Sequence, residues 1–284
     1  MAQSGSAQHG EDPLVCVMMA AHDAERYLTA AVESVLAQSY PRFELLVVDD
    51  GSTDGTLALL EQLAQRDARV RVLRNERNLG VVATRNRMLG EAPPAAKYLA
   101  VLDADDVCLP QRLARQVAFL EQHPRHALVG CHTQIIDEQG RPVGLRRYPT
   151  SAAQIRRVIT RYNPIAHPGA MLRRSAVNEV GPYDADYPRC QDYELWLRLA
   201  ERYDLANLDE VLIGYRISAT QVKQRHLRES LRLTVQIQRR WLFSPRFFNP
   251  FNVLYWLAEH VLLALPDALV LGLFKRLTYR SGPA

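Results

Sequence analysis

Three carboxylates fall within four residues of this 284-residue chain, in the segment Asp103-Ala104-Asp105-Asp106. Packing them together costs charge repulsion and raises at least one pKa unless a cation is present. If the preceding strand continues, Asp103 and Asp105 point the same way. Carboxylate oxygens suit Mg²⁺ or Mn²⁺, and such an ion would bridge to substrate phosphates. The segment therefore predicts a divalent-cation site, with a solvated acidic loop as the plainer interpretation.

A second acidic cluster is DDGSTDGT, residues 49–56. Five residues match the spacing of a calcium-binding EF-hand loop: Asp50, Ser52, Asp54, Gly55 and Glu61. That loop requires a preceding helix, whereas residues 43–48 are typical of a strand. A carboxylate at a strand end suits a nucleoside instead, because it accepts hydrogen bonds from a base N–H or a ribose hydroxyl. A helix cap by Ser52 or Thr53 is the structural alternative, and both interpretations can hold.

A third candidate is Asp192 in the segment QDYELWLRLA, near the start of an amphipathic helix. A carboxylate in a first helical turn is stabilised by the helix dipole, which is a structural reason for its presence. The functional interpretation is a general base that takes a proton from an attacking hydroxyl. Trp196 on the same helix fits a core position better than a ligand contact.

The elements that position these clusters alternate along the first half of the chain. Four apolar runs are predicted as strands: residues 14–20, 43–48, 70–73 and 98–102. Three segments with helical spacing separate them: residues 24–38, 53–66 and 80–89. This alternation predicts an α/β fold, a mostly parallel sheet with helices on both faces. Because ligands gather beyond the carboxyl ends of such strands, we expect the acidic clusters to converge on one site.

The pattern loosens after about residue 125. Residues 127–136 and 142–147 could pair around a turn at residues 138–140. Helices are expected at residues 151–160, 191–203 and 221–240, and strands at 170–172 and 211–217. Residues 241–274 are strongly apolar and contain three prolines.

Composition and charge narrow the class of protein. Hydrophobic residues make up 48% and charged residues 23%, which excludes a disordered, collagen-like or small disulfide-rich chain. Residues 1–140 have a net charge of −6, and residues 141–284 have +10. The four cysteines form no C-x-x-C motif and suit free thiols in a reducing compartment. Residues 1–12 have no signal-peptide pattern, so we expect a cytoplasmic protein with a disordered lead-in.

Several enzyme and binding classes fit less well. A nucleotidyltransferase would need a glycine-rich phosphate loop and an early lysine, but the first lysine is Lys97. A Rossmann dehydrogenase would need G-x-G-x-x-G after the first strand, where AAHDAERY stands instead. Nucleic-acid binding has only the basic second half in its favour, so no nucleic-acid partner is expected. A non-catalytic module that binds sugar nucleotides remains an alternative, although Asp103, Asp105 and Asp192 argue for catalysis.

Six motifs in order make the chain resemble the family-2 glycosyltransferases of the GT-A fold, inverting enzymes of the kind that build bacterial cell-surface polysaccharides. They are VCVMMAAHDAERYL, FELLVVDDGSTDGT, NLGVVATRN, YLAVLDADD, HPGAMLRR and QDYELWLRL, followed by YRIS. They span roughly residues 14–218. The resemblance implies transfer of a sugar from a nucleotide-diphosphate sugar, with a UDP-sugar favoured, to a hydroxyl of a glycan or lipid-linked intermediate.

The resemblance also implies roles for individual residues. The donor nucleotide would be bound by Ala20, His22, Asp50, Arg85, Asp103 and Arg216. Within that set, Asp50 would contact the base, Asp103 the ribose and Arg216 the phosphates, and Arg85 would help at the base or the diphosphate. Asp105 would coordinate Mn²⁺ or Mg²⁺, together with Asp103 and Asp106. Asp192 would be the catalytic base, and the acceptor would meet His167, Trp196 and Gln191.

Some positions depart from the family pattern. Ala20 and His22 replace a hydroxyl-bearing residue and an aromatic residue that are common near the base, which leaves the donor nucleotide open. Gln191 precedes the proposed base where glutamate is frequent, and YRIS lacks the histidine that often follows this arginine. His167 could equally face the acceptor or pack beside Pro168.

The predicted domain organisation has three parts. Residues 1–12 are the lead-in, residues 13–220 the GT-A catalytic domain, and residues 221–284 a basic and apolar helical extension. Within the catalytic domain, residues 13–108 would bind the nucleotide sugar and residues 109–220 the acceptor. Arginines followed closely by aromatic residues suit the inner face of the cytoplasmic membrane. Packing on the catalytic domain or a homodimer contact are the alternatives for the extension.

Overall fold

The structure is a computed structural model that describes residues 12–217 and 227–265. Its strands are β1 (Leu14–Ala21), β2 (Phe43–Asp49), β3 (Val70–Arg74), β4 (Ala96–Val101), β5 (Val107–Cys108), β6 (His126–Ile136), β7 (Pro142–Arg146), β8 (Met171–Arg173) and β9 (Asp204–Arg216). Its helices are α1 (Glu25–Leu36), α2 (Thr56–Arg66), α3 (Val81–Glu91), α4 (Arg112–Gln122), α5 (Ala152–Val158), α6 (Arg174–Val180), α7 (Gln191–Arg202), α8 (Leu227–Trp241) and α9 (Pro250–Ala264). A 3₁₀ turn spans His167–Gly169.

The strands form one sheet in the order β3-β2-β1-β4-β8-β6-β9-β5, with β7 paired to β6. Strands β1 to β4 are mutually parallel where they pair, as the alternation of strands and helices predicts. Beyond β4 the sheet is mixed, because β8 runs antiparallel to both β4 and β6 while β6 and β9 are parallel. The predicted pairing of residues 127–136 with 142–147 is confirmed by the antiparallel pair β6–β7.

Helices cover both faces of the sheet, and the alternating side chains of β1 show how. Val15, Val17 and Met19 belong to the core layer that contains residues of α1, α2 and α4. Cys16 and Met18 belong to the opposite layer, which contains residues of α3 and α7. A strand buried on both faces needs apolar residues at every position, which explains the unbroken apolar run.

Strand β9 is longer than residues 211–217, the range predicted from sequence. It begins at Asp204, so it contains the polar segment Asn207-Leu208-Asp209-Glu210. Asn207 is buried, and its side-chain amide donates to the carbonyls of Pro149 and Pro164. The pairing with β6 also shifts register between Cys131 and His132. The first part of β9 is therefore held by tertiary hydrogen bonds and contains an irregularity. It lacks the alternation of apolar residues from which a strand is predicted.

The chain after residue 226 forms the helical pair α8 and α9. Val235, Ile237 and Gln238 of α8 are buried, whereas Arg239 and Arg240 are exposed. Lys223 and Arg225, which the sequence assigns to the same basic helix, lie outside the described residues. No helix in residues 12–217 or 227–265 has the length and apolar character needed to cross a membrane.

Glu259 of α9 is buried against α8 and predicts a pH-dependent stability. Burial raises the pKa of Glu259, and a hydrogen bond with Gln238 lowers it. Burial is the larger effect, so the pKa is about 7. The folded state therefore holds this proton more tightly than the unfolded chain, and the stabilisation is lost as the pH rises from about 4.5 to about 7. We expect Glu259→Gln to raise the free energy of unfolding at pH 8 by about 1–2 kcal/mol, allowing for partial solvation.

Thermal unfolding between pH 5 and pH 8 measures this effect. The exposed Glu76→Gln is the matched control and should leave the pH dependence as in the native protein. Equal pH profiles for native protein and Glu259→Gln would show that the buried carboxyl does not govern this transition.

Candidate active site

The acidic clusters meet because β1 lies between β2 and β4 in the parallel part of the sheet. The loops after these strands therefore share one edge, as predicted. Asp23 follows β1 and accepts a hydrogen bond from the Thr53 N–H at 2.8 Å, while its own N–H donates to Ser52 Oγ at 3.0 Å. These reciprocal bonds join the loop after β1 to the loop after β2.

The DDGSTDGT loop is used to cap helices. The Glu25 carboxylate accepts from the Gly55 N–H at 3.0 Å, and Asp54 accepts from the Glu25 N–H at 3.2 Å. The Glu25 carboxylate thus satisfies a backbone donor just before α2, and the Asp54 carboxylate satisfies one at the start of α1. The predicted cap of α2 by Ser52 or Thr53 is wrong, since α2 begins at Thr56 and its N-cap Gly55 makes no side-chain cap bond.

Asp50 is buried and organises the segment that leads into α3. Its carboxylate accepts hydrogen bonds from Asn75 Nδ2 at 2.7 Å, Leu79 N at 2.9 Å and Gly80 N at 3.0 Å. Gly51 beside it has φ +65°, and a Cβ there would lie 2.4 Å from the Arg77 carbonyl carbon. The close packing of these two loops fixes the start of the helix that carries Arg85. The contact of Asp50 with a nucleotide base remains a prediction.

The other two residues predicted near the base lie at the same strand end. Ala20 is half-buried in β1, and Asp50 N donates to the carbonyl of its neighbour Ala21 at 2.7 Å. His22 is exposed, with Nε2 3.6 Å from Asp23 Oδ2. Both residues are therefore placed beside Asp50, and a contact with the base stays a prediction.

Asp103 lies between the guanidinium of Arg85 and the imidazole of His167. Arg85, which is buried, donates through Nη2 to Asp103 Oδ1 at 3.0 Å. His167 Nδ1 lies 3.8 Å from the same oxygen. The Asp103 side chain keeps 36% exposure, so it reaches the open edge of the sheet. Arg85 thus orients Asp103, a role that the sequence did not assign to it.

Arg216 and Asp106 are buried and make contacts within the protein that the sequence did not indicate. Arg216 is buried and donates to the backbone carbonyls of Asp105 and Asp137, at 2.8 Å and 2.9 Å, and its guanidinium lies 4.5 Å from the centre of the Tyr27 ring. Asp106 is 1% exposed and accepts from Arg216 N at 2.7 Å. Arg216 therefore supports the acidic loop, and Asp106 ties that loop to β9. The contacts of Arg216 with phosphates and of Asp106 with a cation stay predictions.

Two half-buried carboxylates, Asp103 and Asp105, remain at the edge of the sheet. Across residues 12–217 and 227–265, no group of three or more His, Cys, Asp or Glu side chains is arranged to hold a metal ion. Mg²⁺ and Mn²⁺ do not require such a group, because in nucleotide sites they commonly use one or two carboxylates, substrate phosphates and water. The hard oxygens of Asp103 and Asp105 fit that mode of binding.

Asp192 stands in the first turn of α7, as predicted. Its carboxylate is half-buried, and Oδ2 accepts a hydrogen bond from Asn163 Nδ2 at 2.8 Å. The negative charge of Asp192 acts on both His167 and Tyr183, which places the three groups together. A half-buried carboxylate has the chemistry of a proton acceptor, and the role of Asp192 as the catalytic base stays a prediction.

His167 and Tyr183 form a buried pair next to Asp103. His167 Nε2 lies 3.1 Å from the Tyr183 hydroxyl, and both side chains are buried. Burial, and then the positive charge of Arg85, lower the pKa of His167, although Asp103 and Asp192 oppose them. Burial also raises the pKa of Tyr183 well above its usual value. His167 is therefore neutral near pH 7. The charges of Asp103 and Asp192 both act on its ring.

The remaining predicted acceptor contacts lie deeper. Trp196 is 0% exposed and its ring stacks on His167 at 6.0 Å between centroids. This burial confirms the core position that the helix favours for Trp196, which supports His167 from below, and a contact with the acceptor stays a prediction. Gln191 is also buried, and among the described residues its Oε1 has no hydrogen-bond partner.

Asn163 and Tyr183 are the site residues that sequence reasoning missed. Asn163 lies 29 positions before Asp192, in an Asn-Pro dipeptide that is typical of a turn. Tyr183 lies in the segment between α6 and α7. No spacing rule connects either residue with the acidic motifs, so only the tertiary fold brings them together.

Comparison with protein families gives a match for the description Glycosyl transferase family 2 over residues 16–181. An uncharacterized glycosyltransferase of Haemophilus influenzae is 31% identical over 237 residues, which cover 80% of this chain and 72% of that protein. The Escherichia coli UDP-Glc:alpha-D-GlcNAc-diphosphoundecaprenol beta-1,3-glucosyltransferase WfgD is 26% identical, over 90% of this chain and 95% of that protein.

Solved structures share the fold. The S. aureus TarS 1–349 complex with UDP-GlcNAc superposes with a TM-score of 0.64 at 20% identity, covering 87% of this chain and 72% of TarS 1–349. The mannosyltransferase PcManGT from Pyrobaculum calidifontis, in complex with GDP-Man and Mn²⁺, has a TM-score of 0.62 at 17% identity, with coverages of 95% and 82%. At these identities the likeness concerns the fold alone.

Proposed function

The chain belongs to glycosyl transferase family 2, and we propose that it transfers a sugar from a UDP-sugar to a hydroxyl of a glycan or lipid-linked acceptor. It is a glycosyltransferase enzyme with the GT-A fold. One observation carries the proposal: the charges of Asp103 and Asp192 both act on the buried His167–Tyr183 pair, and Asp103 Oδ1 lies 3.8 Å from His167 Nδ1. This common neighbourhood supports the proposal that Asp103 binds the donor while Asp192 accepts the proton.

The donor would lie along the carboxyl edge of β1, β2 and β4. We assign the base contact to Asp50, with Ala20 and His22 beside it, and the ribose to Asp103. Asp105 and Asp103 would hold Mn²⁺ or Mg²⁺, which when bound stabilises negative charge on the leaving nucleoside diphosphate. Arg85 keeps Asp103 oriented at 3.0 Å and adds positive charge near the diphosphate.

The reaction would be a single displacement. Asp192 accepts the proton of the acceptor hydroxyl as that oxygen forms a bond to the anomeric carbon. The bond between the anomeric carbon and the diphosphate oxygen breaks, and the electron pair leaves with UDP. Because no protein nucleophile intervenes, the configuration at the anomeric carbon inverts. The His167 side chain is only 7% exposed, so it would meet the acceptor over a small area. Its main contribution would be to pack the site with an uncharged ring.

Related proteins support the choice of donor and acceptor. WfgD is named for transfer from UDP-Glc to an α-D-GlcNAc diphosphoundecaprenol. We infer that this chain also uses a UDP-sugar and a lipid-linked intermediate of cell-envelope polysaccharide synthesis, at the cytoplasmic face of the membrane. The acidic half of the chain would bind the nucleotide and the cation, and the basic half the acceptor.

A donor screen tests this function. Thermal shifts with UDP, UDP-glucose, UDP-GlcNAc and GDP-mannose, each with Mn²⁺, should show the largest stabilisation with uridine compounds. Incubation with a GlcNAc-diphospholipid should then release UDP. Binding without release of UDP from any donor would favour a non-catalytic binding module, and stabilisation by GDP-mannose alone would overturn the choice of uridine.

The exposed surface of α9 is the proposed membrane contact. Three of its apolar side chains are strongly exposed: Phe251 at 69%, Leu254 at 64% and Val261 at 62%. Phe243 and Phe248, just before α9, are exposed as well, and Arg239 and Arg240 lie close by in sequence. Apolar side chains flanked by arginine suit the headgroup region of an anionic bilayer. A lipid-linked acceptor would then be presented to the site from the same surface.

Vesicle binding tests this contact. The native protein should sediment with phosphatidylglycerol vesicles, and the double variant Phe251→Glu/Leu254→Glu should lose at least about tenfold in affinity, because each apolar side chain contributes about 1.5–3 kcal/mol when buried. Val143→Glu is the matched control, since Val143 is 56% exposed but lies on β7. A native protein that stays in the supernatant would contradict the proposal, and a dimer that the double variant disrupts would identify a protein interface instead.

A further inference from the structure

Asn163 makes two hydrogen bonds that fix the orientation of its side chain. Its Oδ1 accepts from the Ile165 N–H at 3.2 Å, and its Nδ2 donates to Asp192 Oδ2 at 2.8 Å. A backbone N–H can only donate, so the oxygen of the amide must face Ile165 and the nitrogen must face Asp192. Asn163 therefore presents a donor to the carboxylate and closes a turn over Pro164.

The segment that carries Asn163 is held from several sides. The Tyr193 hydroxyl of α7 donates to the Ile159 carbonyl, and Asn207 Nδ2 of β9 donates to the Pro164 carbonyl at 3.0 Å. These bonds anchor the two ends of the segment 159–164 to the catalytic domain. The middle of the segment is held by the C-terminal helices instead.

Gln238 of α8 and Asn252 of α9 form what we call the polar clamp. Gln238 Nε2 donates to the Arg161 carbonyl at 2.8 Å. Asn252 donates to Thr160 Oγ1 and accepts from Arg161 Nε. Both clamp residues and Thr160 are 0% exposed, so these bonds are shielded from water. A buried polar group stays satisfied only while its partners stay in place, which makes the clamp sensitive to position.

Resting on the assignment of Asp192 as the base, we propose that Asn163 is a positioning residue for Asp192 and that the polar clamp holds Asn163 in place. The hydrogen bond at Oδ2 stops rotation of the carboxylate and leaves Oδ1 to meet the acceptor hydroxyl. The helical pair α8–α9 thereby belongs to the framework of the active site, beside any role in binding a membrane. Precise placement of reacting groups matters because a misplacement of about 1 Å can cost about 10²-fold in rate.

Two substitutions at Asn163 separate positioning from folding. Asn163→Asp keeps an oxygen for the Ile165 N–H but turns a second carboxylate toward Asp192, whereas Asn163→Ala removes both bonds. We expect UDP release to fall about 10-fold in Asn163→Ala and about 100-fold in Asn163→Asp, with the Kd for UDP in Mn²⁺ within about twofold of native. A merely structural residue would give the opposite order, since Asn163→Asp preserves the turn. That opposite order, or a native rate in Asn163→Asp, would overturn the proposal.

The clamp is tested on α9 with two asparagines. Asn252→Ala removes the bonds to Thr160 and Arg161, while Asn249→Ala removes only the bond from the Phe251 N–H at the start of the same helix. We expect kcat to fall about tenfold in Asn252→Ala and to stay native in Asn249→Ala, with UDP affinity unchanged in both. Equal rates in the two variants would remove the clamp from the proposal. If Asp192→Asn retains the native rate, the proposed function fails as a whole; if it abolishes transfer while Asn163→Asp is native, this inference alone fails.

Discussion

Replacing Asp192 with asparagine is expected to lower the rate of sugar transfer by at least about 10³-fold, within the range that general acid–base groups contribute. Asparagine has the size of aspartate, and its amide oxygen can accept the hydrogen bond that Asn163 donates at 2.8 Å. The variant therefore keeps the packing of the first turn of α7. What it lacks is a group that takes a proton from the acceptor hydroxyl.

The loss should appear in kcat and spare donor binding. UDP release measured at saturating UDP-sugar gives the rate, and titration with UDP in Mn²⁺ gives the affinity, which should stay within about twofold of native because Asp192 makes no contact with the nucleotide in this account. Asp186→Asn is the matched control, since Asp186 is an exposed aspartate six positions earlier in the chain. Turnover near the native rate by Asp192→Asn would remove the base from the mechanism.

The second large effect is expected at Asp105. Asp105→Asn should lower the rate by at least about 10²-fold and weaken UDP binding in Mn²⁺, because a neutral amide is a poor ligand for a hard cation. Asp103→Asn should do the same and additionally release Arg85 from its 3.0 Å ion pair. Chelation of divalent cations with EDTA should reproduce the loss in the native protein, and added Mn²⁺ should restore the activity.

Asp106→Asn tests whether Asp106 binds the cation or only supports the loop that carries the cation site. Asp106 is buried and accepts from Arg216 N, so its substitution should lower the melting temperature while the response to Mn²⁺ persists. A folded Asp106→Asn protein that has lost its Mn²⁺ response would show that Asp106 belongs to the ligand set. Native activity of Asp105→Asn in the presence of EDTA would contradict cation-dependent catalysis.

The parallel half of the sheet and its acidic edge were predictable from sequence because both depend on local pattern. Apolar runs of strand length predict β1, β2 and β4, and carboxylates directly follow the runs of β2 and β4. Asp50 and Asp103 therefore lie at one edge once these strands are neighbours. The position of Asp192 in a first helical turn was predictable for the same reason. The helical spacing of apolar residues predicts α7 from residue 191, which places Asp192 in its first turn.

Residue roles that depend on distant partners could not be predicted in this way. Arg216 and Asp106 are separated by 110 positions, and the Arg216 backbone N–H donates to the Asp106 carboxylate, a contact that no local pattern indicates. Asn163 reaches Asp192 only because the polar clamp and Asn207 hold its segment. In each case long-range packing decided what a side chain of suitable chemistry does.

Time-resolved proton NMR of a UDP-sugar with a GlcNAc-diphospholipid acceptor tests the central claim most directly, because one experiment reports both transfer and stereochemistry. Inverting transfer predicts that the α-anomeric signal of the UDP-sugar disappears as UDP forms, and that the new glycosidic signal has the large coupling of a β-linkage in gluco-configured sugars. An α-linked product, or loss of the donor without any new linkage, would contradict an inverting transfer that uses Asp192 as its base.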